Sequence, residues 1–188
     1  MSGSPKKSGL TNLLLDESLE GARAAGANTD KIILNDLSFK ACQECFKCDD
    51  AGGCVLSDDM KIVYDKIRDA DALIVASPIY FGTITAQLKA MIDRCNAIWV
   101  SRRKVTGSGQ SEKTKKGAFI CVAGEDRKEY FKNARAIVRI FFATLNIFYS
   151  KELFVGCVDS LTANSAKKKD AILKSYELGL SLVRSNKN

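Results

Sequence analysis

Histidine is absent from this chain. Its absence removes the commonest general base near neutral pH, the serine–histidine and cysteine–histidine nucleophile pairs, and histidine-ligated metals. Hydrolysis by a catalytic triad is therefore a poor expectation. No apolar run approaches the roughly 20 residues needed to cross a bilayer, so a soluble protein without membrane partners is expected. No secretory signal sequence is apparent, and seven cysteines then point to a reducing, cytoplasmic setting, where clustered thiols hold metal or do redox work. The odd cysteine total agrees with that. A net charge of +7 would suit a nucleic-acid partner, but the excess is concentrated in residues 101–116, in Arg102, Arg103, Lys104, Lys113, Lys115 and Lys116. That stretch has no interleaved aromatics to stack on bases, so it reads as a basic surface loop and nucleic-acid binding is not expected.

What is present is concentrated first in Cys42, Cys45, Cys48 and Cys54, a Cys-x2-Cys-x2-Cys-x5-Cys pattern with Gly52 and Gly53 before the last member. The glycines free the backbone to return the fourth sulfur toward the other three. Zinc could use four thiolates, but structural zinc sites usually pair two knuckles separated by a dozen or more residues. A condensed four-thiolate loop suits an iron–sulfur cube, which spreads its ligand points over a larger object. Cube, redox thiol set and zinc all stay open on the residues alone.

The segment 1–11 is rich in glycine, hydroxyls and lysine and runs into a helical pattern with Leu15, Leu19 and Ala22 on one face, a plausible cradle for a phosphate monoester. The helix is expected to stop around Gly26 and a short buried strand to follow over 31–35. Ser57-Asp58-Asp59 offers a helix cap ahead of Met60, Val63, Tyr64 and Ile67. Residues 72–77 are a near-continuous apolar strand ending in Pro78-Ile79-Tyr80-Phe81-Gly82-Thr83, where adjacent aromatics suit a flat ring ligand. A helix then carries Leu88, Met91, Ile92, Cys95 and Ile98 inward. A buried strand over 117–123 leads to Gly124-Glu125-Asp126. An apolar helix with Tyr130, Phe131, Ala134, Ile137, Val138, Phe141 and Phe142, a strand over 148–155 and a closing helix facing inward through Ile172, Tyr176, Leu180 and Val183 complete the chain. Cys95 and Cys121 read as core.

Strand and helix alternate, so the expected fold is α/β, one doubly wound domain over 1–188 with a parallel sheet and helices on both faces. The glycine-rich loop, the cysteine stretch and the run from Ser77 through Gln87-Leu88-Lys89-Ala90 to Asp93-Arg94 together resemble the flavodoxin-like NAD(P)H-dependent FMN reductases, and within them the iron–sulfur flavoproteins. The resemblance implies a sheet order 2-1-3-4-5, with Ser2, Ser4, Lys6 and Thr11 taking the FMN phosphate, Pro78, Ile79, Tyr80, Phe81 and Gly82 along the isoalloxazine, and Gly124 closing the site. It implies Cys42, Cys45, Cys48 and Cys54 as ligands of a 4Fe–4S cluster. Leu10 stands where relatives often have asparagine, so a phosphate contact there would come from the backbone. Relatives open with an apolar strand before the loop, which this sequence lacks; the expectation is a sheet missing its first strand and a natural start upstream.

The resulting expectation is an oxidoreductase coupling flavin to the cluster, with NAD(P)H or a one-electron carrier such as a ferredoxin as partner, assembled as a homodimer or homotetramer. The alternatives are a cluster-free NAD(P)H-dependent FMN or quinone reductase and, from another class, a zinc-stabilised binding module.

Overall fold

Three parallel strands, β1 (Ala72–Pro78), β2 (Lys115–Val122) and β3 (Ile147–Val155), lie in the order β1-β2-β3 in the computed structural model. The model describes residues 1–105, 114–158 and 165–184, so the middle of the expected basic loop, 106–113, lies outside the described residues. The inner residues of β1 and the last six of β2 are buried. That is what an unbroken apolar run implies when helices cover both faces.

One face carries α1 (Leu10–Ala24) and α7 (Ala166–Arg184), joined to the sheet through Leu14, Leu15, Ile74, Ile120, Leu178 and Leu182. The other carries α3 (Met60–Asp69), α4 (Ala86–Arg94) and α6 (Lys128–Thr144), packed through Val63, Val75, Leu88, Phe119 and Phe142. A short α2 (Cys48–Ala51) lies in the cysteine loop, and α5 (Asn96–Val105) follows α4. Cys95 and Cys121 are buried, as expected of core thiols. No helix among the described residues is long and apolar enough to cross a membrane.

On the free side of β1, Met1–Gly3 take the central place in the sheet. The Met1 amine donates to Ile74 O (2.6 Å), Ala76 N to Met1 O (2.9 Å) and Gly3 N to Ala76 O (2.8 Å). On their other side Ser2 N donates to Ile32 O (2.8 Å) and Leu34 N to Ser2 O (2.9 Å). The order through these short segments is therefore 2-1-3-4-5, with Met1–Gly3 in the first strand's place. Beyond Met1 the space between Ile32 and Leu73–Ile74 is a cleft of about 570 Å³.

Two expectations need correction. The strand over 31–35 is a single bridge at Ile33 followed by a 3-10 turn, Leu34–Asp36, because so short a neighbour leaves little backbone to pair with. The inward face of α7 is Ala171, Ser175, Leu178, Gly179 and Leu182, with Ile172 packed at its edge, and not the row through Tyr176, Leu180 and Val183. Close contact with α1 sets that rotation. A Cβ on Gly179 would lie 1.7 Å from Ser18 O, one on Gly21 2.0 Å from Tyr176 O, and Ser175 Oγ donates to Leu14 O at 2.6 Å.

Candidate active site

The amino end of α1 is open. Its N-cap is Gly9, extended and without a side-chain cap, so the first-turn N–H groups have no capping oxygen. The preceding loop is wound around the carbonyl of Lys6, which accepts from Gly9 N (3.0 Å), Asn12 Nδ2 (2.9 Å) and Ser4 Oγ (3.3 Å). Ser4 and Thr11 are buried beside it, and Asn12 Oδ1 is buried with no partner among the described residues. Uncapped amides, buried hydroxyls and the exposed Lys6 suit an anion. Ser2 does not belong with them: it is fully buried in the sheet and its Oγ accepts from Ser4 N at 3.2 Å, so it braces the loop from behind.

After β1 the chain makes a two-residue turn. Tyr80 N donates to Thr83 O (2.9 Å) and Thr83 N to Tyr80 O (3.2 Å), while Phe81 (φ 48°) and Gly82 (φ 77°) are both left-handed. That pair of angles is the type I′ geometry, for which phenylalanine is an unfavourable occupant. The turn thrusts Phe81 entirely into solvent and leaves Tyr80 half exposed, while Ile79 packs back on the core and donates its N–H to Val122 O (2.7 Å). Pro78 O accepts from Ser77 Oγ (2.8 Å), and Asn133 Nδ2 holds Gly82 O (3.2 Å). Gly124 is half buried in the loop after β2.

Two residues given no role by the sequence reading join these loops. Thr85, fully buried, caps α4 by accepting from Leu88 N, and its hydroxyl donates to Gly3 O at 2.7 Å. Ser77 Oγ accepts from Thr85 N at 3.2 Å. Gly3 has no room for a side chain there, since a Cβ would lie 2.8 Å from Leu88 Cβ. Buried hydroxyls at the end of an apolar strand and at a helix start were the available signal.

The four cysteines line one cavity of about 160 Å³ together with Val55, Leu56 and Arg94. Cys42 and Cys45 are exposed, Cys48 and Cys54 partly so, and all are free thiols. Glu44 (φ 50°) and Phe46 (φ 55°), both left-handed, flank Cys45. Such reversals turn backbone N–H groups toward a common concavity, the arrangement that receives sulfur and phosphate anions. Among the described residues no three Cys, Asp or Glu groups converge tightly enough for a single ion. Burial, then the neighbouring Asp49, pushes the Cys48 thiol above its ordinary value.

Ser57 and its neighbours do not form the side-chain cap expected of them, although Asp58 Oδ1 accepts from Met60 N (3.2 Å). Asp58 and Asp59 turn back instead to close the cysteine loop at its base. Asp59 Oδ2 accepts from Ser38 N (2.7 Å) and Asp58 Oδ2 from Lys40 N (3.2 Å). Arg94, with a completely buried side chain, forks onto Asp58 (2.7 and 3.1 Å) and also donates to Lys40 O (2.7 Å). Burial pushes the Asp58 carboxyl up, but Arg94 and the backbone donors outweigh it and hold it below the usual range. The two sites thus hang from opposite ends of α4, Thr85 by the phosphate-type loop and Arg94 by the cysteines.

Residues 1–155 match the NADPH-dependent FMN reductase family. An iron–sulfur flavoprotein of Methanosarcina thermophila is 38% identical over 124 residues, covering 66% of this chain and 61% of its own length. Another, of Methanocaldococcus jannaschii, is 37% identical over 111 residues, 57% of this chain and 58% of its own. The chain thus spans about three fifths of the length of these relatives. A solved structure of flavone reductase superposes with a TM-score of 0.74 at 18% identity, covering 100% of this chain and 62% of that one. An NAD(P)H:quinone oxidoreductase from Methanothermobacter marburgensis does so with 0.70 at 18% identity, covering 96% and 92%. At that identity they bear on the fold alone, which is flavodoxin-like. By its sequence match over all but the last part of the chain, this protein belongs to the NADPH-dependent FMN reductase family.

Proposed function

We propose that the chain is an FMN-dependent oxidoreductase that takes electrons from a nicotinamide nucleotide and passes them singly through a 4Fe–4S cluster. The observation that carries this reading is α4, whose first residues are tied to an anion-ready loop and an exposed aromatic turn, and whose last residue clamps a four-cysteine cavity. FMN, when bound, supplies two-electron chemistry and the cluster one-electron steps, so together they join the two. On the protein's side, the first-turn amides of α1 with Ser4, Thr11 and Lys6 bind the phosphate. Thr85 fixes the distance between that loop and the turn. Tyr80 and Phe81 offer flat apolar surface to a ring and keep water from it, with Gly82 and Gly124 leaving room for the approach. Cys42, Cys45, Cys48 and Cys54 hold the cluster. No side chain is needed as acid or base for hydride transfer, in keeping with a chain that has no histidine.

The donor is read as NADPH or NADH, with a ferredoxin-type carrier as the one-electron partner, and the assembly as a symmetric dimer or dimer of dimers. The test is the visible spectrum of anaerobically reconstituted protein with iron, sulfide and flavin assays. Flavin bands with a broad cluster shoulder are expected. Cys48→Ser should lose iron and the shoulder while keeping FMN. Flavin bands without iron or sulfide would leave the cluster-free reductase.

A further inference from the structure

Arg94 sits where a cluster's charge would be felt. Its guanidinium is fully enclosed, one nitrogen pair is committed to Asp58 and Lys40 O, and it shares the wall of the cysteine cavity. Its Nε–H is buried with no partner among the described residues. A buried donor normally finds an acceptor, and this one belongs to a side chain that shares the cavity wall with the four thiols. Burial alone would pull the guanidinium toward neutrality, but Asp58 keeps it charged.

We propose that Arg94 is a positioning residue for the cluster, which joins both feet of the cysteine loop and sets the cluster's reduction potential through a fixed buried positive charge that Asp58 offsets. The inference rests on the cluster reading given above. Three observations support it independently of any shifted titration. The fork binds the loop on both sides, at Lys40 ahead of Cys42 and at Asp58 behind Cys54. The charge is only weakly screened by water, because none of the side chain is exposed. Finally, the uncommitted Nε–H belongs to the same group, and donors to cluster sulfurs, like nearby charge, govern cluster potential. A positive charge favours the more negative, reduced state, so Arg94 raises the potential. Asp58, of opposite sign and in direct contact, lowers it.

The two residues therefore predict effects of opposite sign, which a merely structural clamp would not produce. The experiment is an anaerobic redox titration of reconstituted protein followed by electron paramagnetic resonance, with iron, sulfide and FMN content measured alongside. Arg94→Gln is expected to shift the oxidised-to-reduced ratio at fixed potential at least tenfold toward oxidised, a fall of 59 mV for one electron. Asp58→Asn is expected to shift it toward reduced. Arg94→Lys, which keeps the charge but loses the fork, is expected to load less iron, yet to titrate close to the unsubstituted protein. Potentials that do not move, or that move in the same direction in Arg94→Gln and Asp58→Asn, overturn the proposal. Variants that bind FMN but no cluster reduce Arg94 to a clamp and overturn its electrostatic role too. If the unsubstituted protein binds FMN but takes up neither iron nor sulfide, the cluster reading itself fails, a result distinct from unmoved potentials in a loaded protein.

Discussion

The hydroxyl of Thr85 donates to the carbonyl of Gly3 across 2.7 Å, a fully buried bond between residues 82 positions apart. It joins the end of the loop after β1 to the start of the loop before α1. Thr85→Val keeps the shape and removes the donor, leaving Gly3 O buried and unpaired, at a cost of about 1–3 kcal/mol. Urea unfolding should register that loss, and FMN affinity should fall by more than tenfold because the two halves of the site are no longer held in register. Full affinity in a destabilised variant would separate the bond from the site.

Phe81 supplies the second prediction. Its left-handed backbone and complete exposure mean that Phe81→Gly relieves strain and sacrifices almost no buried area. The flavin-free protein should gain about 1 kcal/mol. FMN binding should weaken in the same variant if the ring covers the cofactor. A gain in stability without a change in FMN affinity, by calorimetry and fluorescence titration, would remove Phe81 from the site.

The third prediction concerns the contact between α1 and α7. Gly179→Ala places a methyl group against Ser18 O, where only 1.7 Å is available. The helices must separate, and a loss of roughly 3 kcal/mol or more is expected, of the order seen when a packed core is overfilled. Thermal unfolding measures it. Ala at Gly53, where nothing lies near the added carbon, should cost little by comparison.

A fourth follows from the Met1 amine, which burial, then Lys31, lowers from 8.0 to about 5. Between those values the unfolded chain binds the proton and the folded chain does not, so stability should rise as pH goes from about 5 to 8. The full effect is at most about 4 kcal/mol. The depressed Asp58 carboxyl adds a slope of the same sign only at lower pH. Extending the chain ahead of Met1 with a few apolar residues replaces the amine by an amide and fills the cleft beside Ile32 and Ile74. The slope between pH 5 and 8 should then vanish and the melting temperature rise.

These predictions divide along the line of what the sequence could disclose. β1 and β2 were legible because strands covered on both faces have unbroken apolar runs, and α3 and α6 because Val63, Ile67, Val138 and Phe142 recur at helical spacing. The inward face of α7 was not, because it is set by Gly21, Ser175 and Gly179, and small residues weigh nothing in a hydrophobic pattern. The cysteines declared themselves by spacing. The Arg94–Asp58 fork did not, since a charged residue in a helix reads as solvent-facing until its partner, 36 positions away, is placed. Ser2, which the resemblance places at the phosphate, lies in the sheet with backbone neighbours on both sides.

Helix α4 is also a gauge with a fixed scale. Its nine residues, from the one after the Thr85 cap to Arg94 at the fork, span about 13 Å at 1.5 Å per residue. Inserting one residue would lengthen it only slightly but turn everything beyond it by about 100°. Arg94 would swing from the cysteine cavity toward solvent, and Asp58 would be left buried alone. Loops elsewhere can grow or shrink; this segment cannot change length without uncoupling its two ends, so its residue count is as much a part of the site as any side chain.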